Sequence, residues 1–235
     1  MSDRPLTDYE KYIRTEELLA LQKPVERQSC HDELQFQTVH QVAELWMKLL
    51  LHEMRFVSRL MDEGECDHAT RLLGRARLLL HLLHDQLALL DTMSPRDYMT
   101  IRNVLGRGSG QESPGFRHML ALPAEVWPSF ERLLERRRVT LRAIYEKPEA
   151  HADLYNVAEG LVDFDQGLQA WRQRHLMLVY RIIGAGTPSL KGKPSELLAE
   201  GMKHRFFPAL WAVRDELFEE WSRSHPHGAD QGYHG

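Results

Sequence analysis

Residues 32–62 carry the sequence DELQFQTVHQVAELWMKLLLHEMRFVSRLMD, and this stretch decides the fold. Its apolar residues recur with the alternating four- and three-residue spacing of one helix face, and a single histidine fills the gap in the series. The series consists of Phe36, His40, Ala43, Met47, Leu50, Met54, Val57 and Met61. Such spacing over about eight turns predicts a long helix that packs on a core. Asp32 is its predicted N-cap, and the polar turn 62–64 is its predicted end.

The rest of the chain repeats the helical spacing and contains no polar–apolar alternation of the kind that indicates a strand. The glycine-rich stretch 106–115 is predicted to be a loop. Pro208 is predicted to kink or split the last helix. Helices are predicted over 67–90, from Ser94 to Arg102 with Pro95 at its first position, within 122–146, over 151–183 and over 195–223.

We therefore expect an all-α protein, a bundle of long antiparallel helices that encloses a pocket. Residues 1–223 are predicted to form one domain, and residues 224–235 are predicted to be a disordered tail.

Composition and charge argue against several classes of protein. The chain has 235 residues, with 30 Lys and Arg against 34 Asp and Glu, so it lacks the strongly basic character of a nucleic-acid-binding domain. Two cysteines are too few for a disulfide framework, and the first residues contain no apolar signal-peptide segment. No apolar run approaches the roughly 18 residues of a membrane span. We expect a cytoplasmic protein with neither a nucleic acid nor a membrane as partner.

Two histidines stand out because each interrupts an apolar helical stripe. His40 belongs to the series above, and His175 belongs to a second series formed by Leu168, Trp171, His175, Leu178 and Ile182. A single histidine of this kind most often packs in a core with its hydrogen bonds satisfied. Two of them on long helices also suit one shared site, because a neutral imidazole can ligate haem iron or hydrogen-bond a substrate. The spacing alone leaves both interpretations open.

Other motifs give weaker indications. A di-iron bundle requires a Glu-x-x-His pair on each of two helices, and only Glu65–His68 has that spacing. The stretch 186–195 lacks the spacing and the Ser or Thr of a phosphate loop, and residues 108–110 do not satisfy the nucleophile-elbow pattern. Arg102, beside the glycine-rich loop, is either a clamp for a carboxylate or a surface arginine that closes a helix.

The order of residues in several blocks resembles the tryptophan 2,3-dioxygenases. The string HDELQFQTVHQVAELW at 31–46 resembles the helix on the distal side of the haem in that family. Four further blocks agree in the same order, within residues 6–117 and 160–215. They are YEKYI at 9–13 with LLALQ at 18–22, SPRDYMTIRNVLG at 94–106 with Ser109-Gly110, WRQRH at 171–175 with RIIG at 181–184, and FFP at 206–208.

The resemblance implies an all-helical haem protein that brings tryptophan and O₂ together. In that family the histidine that matches His175 is the axial ligand of ferrous haem b, and the histidine that matches His40 faces the indole N–H. Phe36 matches a residue that packs on the substrate ring, and Arg102 matches the clamp on the amino-acid carboxylate. Further pocket-lining positions of the family match Tyr98, Leu105, Ser109 and Gly110.

The resemblance also implies the homotetramer of the family. Tyr9, Tyr12 and Ile13 match residues that a neighbouring subunit inserts into the pocket. The segment 1–22 is therefore expected to dock on another subunit.

The chain departs from the family pattern at several positions. The stretch between Leu122 and Leu161 is much shorter than in the family, and Leu87 stands where the family tends to have a tryptophan on the proximal side of the haem. The Gly-Thr-Gly-Gly-Ser loop of the family is replaced by GTPSL at 186–190. Either Ser189 or Thr187 therefore takes the place of the threonine that binds the substrate ammonium.

We expect a haem-dependent oxygenase that cleaves the indole C2–C3 bond of L-tryptophan, or of a substituted tryptophan, to an N-formylkynurenine-type product. The departures leave open a haem monooxygenase of the same fold that gives an oxindole or a hydroxylated amino acid in secondary metabolism. A non-catalytic haem or amino-acid sensor is a third alternative. The retention of Phe36, His40 and Arg102 argues against a sensor, because a sensor does not need the residues of the reacting face.

Overall fold

The computed structural model describes residues 4–106, 108, 110–184 and 204–225. Within these ranges every regular element is helical, so the all-α prediction is confirmed. The α-helices are α1 (Asp8–Ile13), α2 (Thr15–Leu19), α3 (Glu33–Glu63), α4 (Cys66–Asp85), α5 (Leu87–Leu90), α6 (Pro95–Val104), α7 (Pro114–Arg137), α8 (Leu141–Glu146), α9 (Ala152–Ile183) and α10 (Pro208–Ser224). Short 3₁₀ turns lie at Val25–Arg27, Gly110–Glu112 and Pro148–His151.

Helix α3 matches its prediction closely. Gly64 ends it in the left-handed conformation, with φ of 87°, which glycine adopts without steric cost. Asp32 is the N-cap residue, as predicted, but its side chain makes no capping hydrogen bond. The buried carboxylate of Glu33 instead accepts hydrogen bonds from the Ser29 N–H and from Lys23 Nζ, which fixes the chain that enters the helix.

Two predicted helices are divided, and one begins earlier than predicted. The stretch 67–90 forms α4 and the single turn α5, with Gln86 between them. Helix α7 begins at Pro114, because Ser113 Oγ accepts a hydrogen bond from the Phe116 N–H at 3.0 Å and proline suits the first helical position. Arg138 then ends α7 in the left-handed conformation, so α8 is separate.

The last helix begins at its proline. Pro208 is the first residue of α10, and residues 195–203 of the predicted helix lie outside the described residues. Helix α10 ends at Ser224, the first residue of the predicted tail, and residues 226–235 also lie outside the described residues.

Four long helices form the core, and the predicted antiparallel packing is found for α3 and α4 but not for the pairs α4–α9 and α3–α7, which are parallel. Helices α3 and α4 run antiparallel, since Phe56 of α3 packs on His68 of α4 while Glu53, earlier in α3, binds Arg75 later in α4 at 2.9 Å. Helices α4 and α9 run parallel, because Leu73 packs on Gly160 and Leu80 packs on Gly167. A Cβ atom at Gly160 would lie 2.8 Å from Leu73, so the two backbones approach closely there.

Helices α3 and α7 also run parallel. Arg55 binds Glu125 at 3.1 Å, and one to two turns further along both helices Asp62 binds Arg132 at 2.8 Å. The apolar stripes predicted for α3 and α4 face inward, with Met54, Val57 and Met61 fully buried. The parallel pairs bring the beginnings of α3 and α7 and the ends of α4 and α9 to the same end of the bundle. Within the described residues, no helix is both long and apolar enough to span a membrane.

Candidate functional site

A cavity of about 370 Å³ lies at this end of the bundle, within the size range of ligand sites. Its apolar wall is formed by Val39, Ala43, Met47, Leu87, Leu90, Phe116, Leu120 and Trp171. Its polar lining residues are His40, Glu44, Gln86, Ser113, Arg117, Arg172 and His175, and Gly110 completes it. The cavity therefore brings together the two histidines that the sequence singled out.

The hydrogen bonding of His40 defines its tautomer. Its Nδ1 lies 2.7 Å from the carbonyl oxygen of Phe36, and since a carbonyl only accepts, Nδ1 carries the proton. Burial among the surrounding residues lowers the pKa of His40, although the Phe36 carbonyl and the charge of Glu44 act in the opposite direction. The accessible surface of the ring belongs to the cavity that it lines. His40 is therefore neutral near pH 7, with an unprotonated Nε2 that can accept a hydrogen bond.

His175 is also held neutral. Burial, and secondarily the proximity of His40, lowers the pKa of its imidazole to about 4. Its ring stacks on Trp171 with 5.7 Å between the ring centroids, and no described residue hydrogen-bonds to its nitrogens. A neutral imidazole with a free nitrogen is the form that ligates a metal.

Glu44 fixes the edge of the cavity next to His40. Its carboxylate accepts hydrogen bonds from the Ser113 hydroxyl and, at 3.0 Å, from the Gly115 N–H in the first turn of α7. A Cβ atom at Gly115 would lie only 2.6 Å from a Glu44 carboxylate oxygen. Glycine is therefore required for α7 to start against α3 at this distance.

Two buried polar groups in the cavity wall have no hydrogen-bond partner among the described residues. These groups are the side-chain amide of Gln86, at the junction of α4 and α5, and the indole Nε1–H of Trp171. Buried polar groups without partners are uncommon in proteins, because each loses its hydration without compensation.

The described lining residues do not include four of the predicted residues, namely Phe36, Tyr98, Arg102 and Leu105. The Phe36 ring packs on the His40 ring, with 4.1 Å between their centroids. The centroid of the Tyr98 ring lies 6.4 Å from that of Phe36. Arg102 is in the last turn of α6 and Leu105 directly follows that helix, and neither is among the described lining residues. The structure thus brings His40, His175 and Gly110 into one cavity, with Phe36 in contact with His40 and Tyr98 beside Phe36.

Several predicted residues are not in the cavity wall or lie outside the described residues. Ser109, Thr187 and Ser189 are outside the described residues. Tyr9, Tyr12 and Ile13 lie on α1 and are 71%, 88% and 39% exposed, and none of them lines the cavity of its own chain. Their contact with another subunit stays a prediction.

Sequence reasoning missed five polar residues of the cavity, namely Glu44, Gln86, Ser113, Arg117 and Arg172. Arg117 was missed because the sequence predicts a loop over 106–115 and a helix only within 122–146, so the first turns of α7 are not predicted as helix. Arg172 lies one turn before His175, on the helix face that lines the cavity, so the helical spacing contained a signal for it. The break at Gln86 had no such signal, because the apolar stripe continues through it.

The donor set fits haem b. His175 offers a neutral imidazole nitrogen to iron, and the apolar wall suits the flat face of a porphyrin. Within the described residues, no three His, Cys, Asp or Glu side chains lie together as ligands for a bare metal ion. His40 belongs to the same cavity and can face a second ligand there.

Comparison with known proteins identifies the family of the chain. The profile of the family described as tryptophan 2,3-dioxygenase matches residues 2–122, just over half of the chain. The tryptophan 2,3-dioxygenase of Myxococcus xanthus is 31% identical over 94% of this chain and 93% of its own length. Those of Saccharopolyspora erythraea and Erythrobacter litoralis are 33% and 35% identical over 89% of this chain, and over 92% and 98% of their own lengths.

The same alignments show that a relative is longer than this chain. The alignment with the Myxococcus xanthus protein spans 272 positions, which exceeds the 235 residues of this chain, so the relative has residues that this chain lacks. The similarity nevertheless covers nearly the full length of both proteins. This chain belongs to the tryptophan 2,3-dioxygenase family.

Proposed function

We propose that this protein is a haem-dependent oxygenase that opens the indole ring of L-tryptophan, or of a substituted tryptophan, by inserting both atoms of one O₂ at the C2–C3 bond. The observation that carries the proposal is the pair of neutral histidines that line one cavity. One of them offers a nitrogen to iron, and the other offers an acceptor to the substrate. Membership of the family supports the same reaction.

His175 would hold the iron of haem b, which supplies the redox chemistry of O₂ activation when it is bound. The low pKa of His175 keeps its imidazole unprotonated, as ligation requires. Trp171, stacked on the His175 ring, restricts the orientation of the imidazole. His175 would thus offer one neutral imidazole nitrogen to the iron, from a ring that Trp171 orients.

His40 would orient the substrate ring. Because Nδ1 donates a hydrogen bond to the Phe36 carbonyl, Nε2 can accept a hydrogen bond from the indole N–H of tryptophan. Phe36, in contact with the His40 ring, would pack on the indole. These residues would promote the reaction by holding the indole and O₂ in one geometry in a pocket with few water molecules.

The other predicted residues complete the proposal. Arg102 would bind the amino-acid carboxylate, and either Ser189 or Thr187 would bind the ammonium group. Tyr98, Leu105, Ser109 and Gly110 would line the substrate site. Tyr9, Tyr12 and Ile13 would enter the pocket of a neighbouring subunit in a homotetramer. We also propose one domain over residues 1–223 and a cytoplasmic location.

One observation favours the monooxygenase alternative. Leu87, which replaces a proximal tryptophan of the family, lines the cavity and offers no hydrogen bond to a group on that side. The shortened stretch between Leu122 and Leu161 begins within α7, two residues after Leu120 in the cavity wall.

The test has two stages. The absorption spectrum of the purified protein should show a Soret band, and His175→Ala should lose it, whereas His81→Ala, an exposed histidine on α4, should keep it. Mass spectrometry of the product made from tryptophan under ¹⁸O₂ then decides the reaction. Two labelled atoms in a ring-opened product support dioxygenation. One labelled atom on an intact bicyclic ring supports the monooxygenase, and tight haem binding without any product supports a sensor.

A further inference from the structure

Arg172 is a half-buried cation in the cavity wall without a charged partner. Its guanidinium donates one long hydrogen bond, of 3.3 Å, to the Gln169 side-chain oxygen and lies 5.7 Å from the centre of the Phe206 ring. No carboxylate pairs with it within the described residues. Burial lowers the pKa of Arg172, and no negative charge opposes that effect. A guanidinium that is desolvated without a counter-ion is costly, unless a bound group supplies the missing charge.

Arg117 is a second cation in the same wall. It follows Phe116, and Arg172 follows Trp171, and these two aromatic rings pack together with 5.3 Å between their centroids. Arg117 and Arg172 therefore line the same cavity, one from α7 and the other from α9. No described residue forms a hydrogen bond or an ion pair with the Arg117 side chain.

The nearest acidic lining residue does not neutralise them. Glu44 uses both of its carboxylate oxygens on the Ser113 hydroxyl and the Gly115 N–H. Other arginines near this end of the bundle have partners of their own, such as Arg174, which is paired with Asp91. The half-buried Arg172 and the more exposed Arg117 thus line a cavity with an otherwise largely apolar wall, and neither has an acidic partner within the described residues.

We propose that Arg117 and Arg172 form a carboxylate-binding pair for what occupies the cavity. Guanidinium groups bind carboxylates with two parallel, charge-assisted hydrogen bonds, so this pair can hold two carboxylate groups. The proposed function requires two ligands that carry carboxylate groups. Haem carries its propionates, and the amino acid carries its own carboxylate. The inference rests on that proposed function, and it assigns a role to two arginines that the proposed function does not use.

The test compares each ligand with an analogue that lacks the carboxylate charge. Haem retention is measured as the rate of transfer to apomyoglobin, for haem b and for its dimethyl ester. Substrate binding is measured by titration with L-tryptophan and with tryptamine. The variants are Arg117→Gln, Arg172→Gln and Arg172→Lys, with Arg71→Gln as the control, because Arg71 is an exposed arginine on α4 outside the cavity.

In the wild type the ligand with free carboxylates should bind better than its analogue. Each Gln variant should reduce that preference by about 10-fold or more, as expected for the loss of a hydrogen bond between charged groups. Arg172→Lys should lie between the wild type and Arg172→Gln, because lysine keeps the charge but not the planar pair of donors. Arg71→Gln should not change the preference.

The outcomes show whether the arginines bind haem or tryptophan, and they distinguish a failure of this inference from a failure of the proposed function. A change confined to the haem pair assigns the arginines to the propionates, and a change confined to the tryptophan pair assigns them to the substrate. Unchanged preferences in both Gln variants, with native circular dichroism, overturn the inference even if the protein is an active dioxygenase. A protein that binds no haem overturns the proposed function, while the tryptophan pair still tests the arginines. Binding of neither ligand overturns both.

Discussion

Replacement of Asp165 by alanine tests how the chain after α9 is held against the bundle. Asp165 lies on α9 and is fully buried. One carboxylate oxygen accepts hydrogen bonds from the N–H groups of Phe206 and Phe207 at 3.0 and 3.2 Å, and from the Trp211 indole at 2.8 Å. The other oxygen has no partner within the described residues. The carboxylate thus joins α9 to the start of α10 and places Phe206 beside Arg172.

The magnitude follows from two opposing contributions. Hydrogen bonds to a charged group contribute roughly 1.5–3 kcal/mol each, so the three together stabilise the fold by about 4–9 kcal/mol. Burial of the carboxylate, with one oxygen unpartnered, costs several kcal/mol. The alanine variant removes both contributions and leaves three donors without an acceptor. We expect a net loss of about 3 kcal/mol of unfolding free energy.

The assay is urea denaturation followed by far-UV circular dichroism. With a slope of about 2–3 kcal/mol per molar urea, the midpoint should fall by about 1 M. Asp165→Asn keeps an acceptor oxygen and should lie between the wild type and Asp165→Ala. Asp163→Ala is the matched control, because Asp163 is an exposed neighbour whose ion pair with Arg77 spans 3.8 Å, and it should change stability by less than about 1 kcal/mol. A midpoint for Asp165→Ala equal to that of Asp163→Ala would refute the reasoning.

Three further predictions concern the candidate site. The haem-free protein should lose stability as the pH falls from about 6.5 to about 4, because the folded pKa of His175 is about 4 and the unfolded state therefore binds more protons in that window. Urea titrations at pH 7 and pH 5 check this. An equal loss of unfolding free energy between the two pH values in His175→Leu would exclude His175 as the cause. Arg102→Leu should weaken tryptophan binding by about 10-fold or more without altering the substrate-free Soret band, as optical titration can measure; unchanged affinity would place the carboxylate elsewhere. Deletion of residues 1–14 should lower both the oligomer mass in light scattering and the affinity for tryptophan, and a fully active monomer would contradict it.

Much of the fold could be predicted from local pattern. The stripes of α3 and α4 are buried because a one-sided apolar series can be satisfied only by packing on a core. The start of α7 could not be predicted in this way, because Pro123 and Pro128 lie within the helix and weaken its signal. There the cap at Ser113 and the packing of both flanks on the bundle outweigh the hydrogen bonds that the prolines remove.

Identification of the candidate site required tertiary contacts, which the spacing of residues in the sequence does not reveal. His40 and His175 could be named from their stripes, but only the tertiary structure brings them to one cavity. Arg117 and Arg172 are separated by more than fifty residues, and each looks like an ordinary charge on a helix face. Only the tertiary structure places both of them in the lining of one cavity. Positions whose chemistry depends on a distant partner cannot be identified from local periodicity.

The parallel pairs of helices have a consequence for the order in which the chain folds. Neighbours in α3 and α7 are about 70 residues apart in sequence, and those in α4 and α9 are further apart still, whereas α3 and α4 form a local hairpin. Since distant contacts cost more loop-closure entropy, the hairpin should belong to the folding nucleus and the cavity should assemble late. Kinetic φ-values should then be high for Val57→Ala, in the hairpin, and low for Leu168→Ala, near the cavity; the reverse order would contradict this sequence of events. A cofactor that binds in the cavity would therefore act on a nearly complete bundle and slow its unfolding, rather than guide its early collapse.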